Sequence, residues 1–165
     1  MTDQTPRADR PHMPGYGTLP PEEGGGLLSW EWAQQRLAAA RNLWVATLFP
    51  DGRPQLSAVW GTWHAGGVVF TCAPTSAKAR NLARDPRLAV CTDDADDPVV
   101  VEGSATEISD PAELAECAAA LNAKYPGGWY EVPSGPHSGY YRVVPTRAFG
   151  MRHDDFTGSP TRWTF

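Results

Sequence analysis

The stretch from Asn42 to Cys72 constrains the fold more than any other part of the chain. It reads as three β-prone runs, NLWVATLF, PQLSAVWGTWH and VVFTC, separated by PDGR and AGG. β-branched and aromatic side chains suit a pleated, half-buried surface. Pro50-Asp51-Gly52 and Ala65-Gly66-Gly67 supply turn conformations between the runs. Strands joined by such short connections pair antiparallel, so a meander is expected here.

The remaining segments alternate between helical and extended patterns. Ser29 is placed to cap a helix over about 30–41, with Ala33, Leu37 and Ala40 on its apolar face. A second helix is expected over Thr75–Arg84, between Pro74 and Asp85-Pro86. Strands follow at 87–92 and 98–109, around the acidic loop 93–97, with Gly103 marking a bulge or bend. Asp110-Pro111 opens a third helix to about Tyr125. Next come a Pro/Gly-rich loop with Trp129 and Tyr130, a strand over 139–144, a turn at Pro145-Thr146 and a last strand over 147–151. Many short antiparallel strands with interspersed helices make a mainly β barrel the expected fold class. Residues 27–165 form its domain, and the Pro/Gly-rich residues 1–26 are a disordered tail or an arm on the body, with His12, Met13 and Tyr16 as candidate anchors.

Several function classes are disfavoured. The 14 basic and 19 acidic residues give a net charge of −5, without the basic excess of a nucleic-acid binder. No apolar run reaches the roughly 20 residues of a membrane span, and the first residues lack the apolar core of a signal peptide. A cytoplasmic protein without membrane or nucleic-acid partners is therefore expected. Cys72, Cys91 and Cys117 lack CxxC spacing, and His12, His64, His137 and His153 form no ligand motif, so neither a disulfide framework nor a metal site is expected.

The candidate chemistry lies in Thr75-Ser76-Ala77-Lys78-Ala79-Arg80-Asn81. A helix N-terminus presents unpaired N–H groups and the positive end of the macrodipole, a ready anion site. Thr75 and Ser76 add hydroxyls, and Lys78 adds a cation that opposes the dipole unless an anion is bound. Arg80 and Asn81 follow closely. From the residues alone, a phosphate site and a plain cap with solvated cations are equal readings.

The order ATLFPDGRPQLSAVWGTW, VVFTC, TSAKARNLARDPRLAVCT and VVVEGSATEI resembles the flavin-binding split-barrel superfamily. That group includes pyridoxamine 5′-phosphate oxidase and the deazaflavin (coenzyme F-420) dependent reductases. The resemblance implies an FMN-binding split barrel of six to seven antiparallel strands in Greek-key order, forming a homodimer with cofactor at the interface. It implies a phosphate site at Thr75, Ser76, Lys78 and Asn81, with Arg80 beside them. Ser57, Ala58, Val59, Trp60 and Gly61 would follow the ring edge, several through backbone groups, and C-terminal residues of the partner subunit, with Trp163 and Arg162 as candidates, would help to enclose the ring. Read as residues alone, Val59 is core, Gly61 a close approach or a bulge, and Trp163 a plug for the tail or a ring contact.

The tail RAFGMRHDDFTGSPTRWTF lacks the Arg- and Pro-containing substrate segment of true pyridoxamine 5′-phosphate oxidase, so that oxidation is not expected. The Trp-rich strand Val59–Trp63 and the Trp-x-Phe ending resemble the deazaflavin branch, which favours coenzyme F-420 over FMN. The implied activity is hydride transfer between that cofactor and a small-molecule substrate. Arg36, Arg41, Arg53 and Arg84 are available to the glutamyl tail of a deazaflavin, and Tyr125, Tyr130, His64 and His153 as proton donors. Two other readings stand beside it, a non-catalytic cofactor carrier and a haem-binding relative with His64, His137 or His153 as axial ligand.

Overall fold

The computed structural model describes residues 5–127, 130–133, 135 and 137–165. Trp129, expected in the loop before the final strands, lies outside them. The strands are β1 (Arg7–Asp9), β2 (Leu43–Leu48), β3 (Pro54–Val59), β4 (Gly61–His64), β5 (Gly67–Thr71), β6 (Arg87–Thr92), β7 (Val99–Glu107), β8 (Tyr140–Gly150) and β9 (Thr161–Thr164). The helices are α1 (Trp30–Ala39), α2 (Ala77–Arg84) and α3 (Pro111–Lys124).

The meander forms as read, and the next strand returns beside its first member. The resulting neighbours β6, β2, β3–β4 and β5 are a Greek key. β7 and β8 complete the circuit, since β7 pairs with β6 and β8, and β8 pairs with β5. Counting β3–β4 as one bent strand or as two gives the six or seven strands of the expected split barrel. The ladder does not close at that bend: β3 is bonded to β2, β4 to β5, and Trp60 joins them without a partner strand. The hairpin between β4 and β5 turns through Ala65 (φ 47°) and Gly66 (φ 81°), the left-handed pair that suits strand twist.

Alternation along the strands sorts the residues. Leu43, Val45 and Thr47 face inward on β2, opposite Val59, Ser57 and Gln55 of β3. Inside, α1 contributes Trp30, Ala33 and Leu37, and α2 contributes Ala79 and Leu82. A second cluster forms where Leu114, Cys117, Ala118 and Leu121 of α3 pack on Val69, Ile108 and Tyr140. All three helices start at side-chain caps, Ser29, Ser76 and Asp110.

Two readings need correction. Pro145-Thr146 is not a turn, because β8 runs unbroken from Tyr140 to Gly150. Gly103 pairs with Pro145 and Glu102 with Arg147, leaving Thr146 as the extra residue of a bulge, the position where a strand tolerates a proline. The C-terminal residues, expected only as a tail, form β9 and pair with β8.

Residues from Thr5 to Gly26 lie along the body. β1 pairs with β9, Arg10 donates to the Pro160 carbonyl at 2.6 Å, and Leu19 N–H donates to the Thr157 carbonyl at 2.9 Å. Asp9 accepts from Arg162 at 2.9 Å through both carboxylate oxygens, and Gly25 N–H donates to Asp155 at 2.7 Å, while His12 stays exposed and the exposed Tyr16 ring lies 6.1 Å from Phe156. Among the described residues no helix is long and apolar enough to cross a membrane.

Candidate functional site

The split itself makes the site. β4 and β5 are paired up to Gly61–Phe70, after which the strands diverge. A cleft of about 350 Å³ opens there, with Ala58, Val59 and Trp60 on one side and Thr71, Cys72 and Ala73 on the other. Only five residues separate β5 from α2, so the start of the helix has to close the end of this opening. Ser76 and Lys78 line it there. Asn42, at the start of β2, completes the wall.

Lys78 is 8 % exposed, and no carboxylate pairs with it among the described residues. Burial pushes its pKa below the usual lysine value. An ammonium held in a first helical turn, against the dipole and without a counter-charge, is a poor structural element and a good anion receptor. The Ser76 hydroxyl accepts from the Ala79 N–H at 3.1 Å, with the Cys72 thiol as a neighbour for its own proton. This donor set fits a phosphate. Among the described residues β3 has no strand partner on the edge away from β2, which leaves backbone N–H and C=O groups available to a ring beside the cleft.

The other expected site residues divide. Thr75 is exposed outside the cleft lining, and Arg80 folds back on the Thr75 carbonyl at 2.5 Å. Asn81 points into the barrel, where its Nδ2 donates to Thr47 Oγ1 at 3.0 Å. Ser57 also faces inward, its hydroxyl buried without a partner, so only its backbone is available to a ligand. The Val59 side chain belongs to the core while its backbone borders the cleft.

Gly61 owes its identity to packing: a Cβ there would come 2.8 Å from the Val69 carbonyl oxygen and 3.0 Å from Leu43 Cδ1. Trp163 corrects its expected place as a ring contact. It is fully buried, edge-on to Trp30 at 5.3 Å, and a side chain enclosed in its own core cannot reach a partner's cofactor.

A second, larger cleft of about 560 Å³ shares the Trp60 wall and is completed by Arg41 and the end of α3. Lys124 donates to the Gly61 carbonyl at 2.6 Å. The Tyr125 hydroxyl accepts from Gly61 N–H at 3.0 Å, and its proton has the Gly61 and Arg41 carbonyls in reach at 2.9 and 3.0 Å. These bonds occupy the Gly61 backbone and hold the bend. Burial lowers Lys124 to about 8 and raises Tyr130 to about 12. Sequence reading named Tyr125, Tyr130 and Arg41 only as isolated candidates and missed Lys124, because nothing local signals that the end of α3 meets the bent strand.

Comparison with known proteins follows the same lines. The family described as pyridoxamine 5′-phosphate oxidase matches residues 30–151. A conserved hypothetical protein of Mycobacterium tuberculosis is 25% identical with a TM-score of 0.66, over 78% of this chain and 87% of that one. An F-420 reductase is 28% identical with a TM-score of 0.55, over 70% of this chain and 94% of that one. A haem storage protein from Vibrio cholerae shares the fold at 19% identity and a TM-score of 0.55, over 70% of this chain and 86% of that one. No curated protein matches the chain.

Proposed function

The chain belongs to the pyridoxamine 5′-phosphate oxidase family, and on that premise we propose that it is an oxidoreductase using coenzyme F-420, with FMN as the alternative, and a small-molecule substrate. The observation that carries this reading is Lys78, a buried cation in the cleft at the start of α2 with no carboxylate partner among the described residues. Lys78, the Ser76 hydroxyl and the free N–H groups of the first turn hold the phosphate. Backbone groups from Ser57 to Trp60 on the unpaired edge of β3 orient the ring, and the exposed Trp60 indole walls it from solvent. The cofactor, when bound, supplies the hydride chemistry. The protein supplies position and a water-poor wall.

The likeness to an F-420 reductase supports the deazaflavin over FMN. Three of the four arginines considered for its tail are engaged: Arg36 with Asp97, Arg53 with Asp51, and Arg84 with the Leu48 and Phe49 carbonyls. Homodimerisation is part of the same proposal. Trp44, Leu48 and Leu56 are exposed together on the outer face of the β2–β3 pair, an apolar surface suited to a second copy. The three free cysteines accord with a cytoplasmic location. A haem reading gains nothing from the cleft, since none of the described histidines lines it.

Titration of the purified protein with coenzyme F-420 and with FMN, followed by tryptophan fluorescence, tests the assignment. Tighter binding of F-420, weakened at least about ten-fold in Lys78→Ala, is expected from loss of a charge-assisted phosphate contact. Binding of neither cofactor, or unchanged affinity in Lys78→Ala, removes it. Reoxidation of reduced cofactor in a substrate screen separates an enzyme from a carrier.

A further inference from the structure

The larger cleft beyond Trp60 has a chemistry of its own. Its volume of about 560 Å³ lies within the roughly 300–1,000 Å³ of small-molecule pockets. Its walls are aromatic: Trp60 is 55% exposed, Tyr125 lies 6.1 Å from it, and Tyr130 lies 6.2 Å from Tyr125. Among the described residues its two charges are both positive. Arg41 has no side-chain partner among the described residues, and Lys124 spends one N–H on the Gly61 carbonyl and keeps two. Asp93, the carboxylate whose field reaches Lys124, accepts from the Asn42 N–H at 3.1 Å and does not line the cleft. In a chain of net charge −5, two cations beside a row of tilted aromatic rings are a selective arrangement.

We propose that this cleft binds a planar aromatic carboxylate, its ring against Trp60 and Tyr125 and its carboxylate between Arg41 and Lys124. Trp60 lines both clefts, so a ring held here lies next to the proposed cofactor site. The role of this ligand as substrate rests on the cofactor reading above, whereas its binding does not. The aromatic walls favour such a ligand over the aliphatic glutamyl tail of a deazaflavin, which shares the carboxylate chemistry.

The test uses the full-length protein without added cofactor, titrated with coumarin-3-carboxylate and with its neutral carboxamide. The carboxylate is expected to bind at least ten-fold tighter. Arg41→Gln and Lys124→Met each lose about ten-fold for the carboxylate and leave the carboxamide unchanged. Arg41 is exposed, so its variant keeps the test decisive if Lys124→Met fails to fold. Equal affinity for the two probes, no binding of the carboxylate, or unchanged affinity in Arg41→Gln overturns the proposal. Tighter competition by tri-γ-glutamate than by 2-naphthoate also overturns it, in favour of a cofactor tail. Selective carboxylate binding in a protein that takes up neither FMN nor F-420 supports this cleft while removing the cofactor assignment.

Discussion

Lys78 stands where helix electrostatics alone would place an acid, and the fold buries it there. Replacing it with alanine removes an uncompensated buried charge along with its methylenes, two effects of opposite sign. Stability of Lys78→Ala should therefore stay within about 1 kcal/mol of the parent in urea denaturation, while cofactor affinity falls. Lys124 makes a separate prediction through pH. Burial lowers its folded pKa to about 8 from the ordinary lysine value of about 10.4, so the unfolded chain binds more protons in that window. Stability should rise as pH goes from about 8 toward about 10.4, and Lys124→Met should flatten that rise. Tyr130 and Tyr141 are raised to about 12, so in the unfolded chain they ionise first, and stability should fall again above about pH 10. Urea midpoints measured across pH 7–11 check both limbs. At this scale, residue types and spacing marked Ser76 and Lys78 as a candidate anion site, level with a plain helix cap, and the structure adds that both line one cleft. They did not reveal that Asn81 bonds Thr47 inside the barrel or that Arg80 turns back to Thr75, because helical spacing says which residues share a face and not what that face meets.

At the scale of elements, the helix caps and the turns at Pro50-Asp51-Gly52 and Ala65-Gly66-Gly67 were readable, while the turn expected at Pro145-Thr146 was not there. Ser29, Ser76 and Asp110 start their helices because a short polar side chain satisfies first-turn N–H groups wherever the helix lies. The bend at Trp60 and the continuity of β8 were not readable, because both depend on partner strands. Gly103 shows the dependence: a Cβ there would sit 2.2 Å from the Val144 carbonyl oxygen, on the strand that bulges at Thr146. Gly103→Ala should force β7 and β8 apart and cost about 2 kcal/mol or more in chemical denaturation. A smaller loss would mean that the bulge absorbs the clash. Tyr125 and Lys124 act at this scale as well, since they tie the end of α3 to the backbone of the bend that both clefts share.

For the whole molecule, the outer face of β2 and β3 is the proposed contact between two copies. Leu56 is 62% exposed, so a charge at this position leaves the isolated subunit intact. Leu56→Glu should sediment as a monomer with near-parental melting, and a persistent dimer would locate the contact elsewhere. The amino-acid sequence by itself determined the three helices and the strands from Leu43 to Glu107, and that one helix start carries hydroxyls and a lysine, but not β1, β9 or the continuity of β8. Those properties follow from side-chain shape, periodicity and local hydrogen bonding within a few residues of chain. Only the tertiary structure decided that β3 and β5 part at Trp60, that α2 closes the gap with Lys78 buried and unpaired, that Trp163 fills the core, and that Arg41 and Lys124, far apart in the chain, line one cleft. Burial and the pairing of charges are set by neighbours that only the Greek-key path brings together, and local sequence carries no record of them.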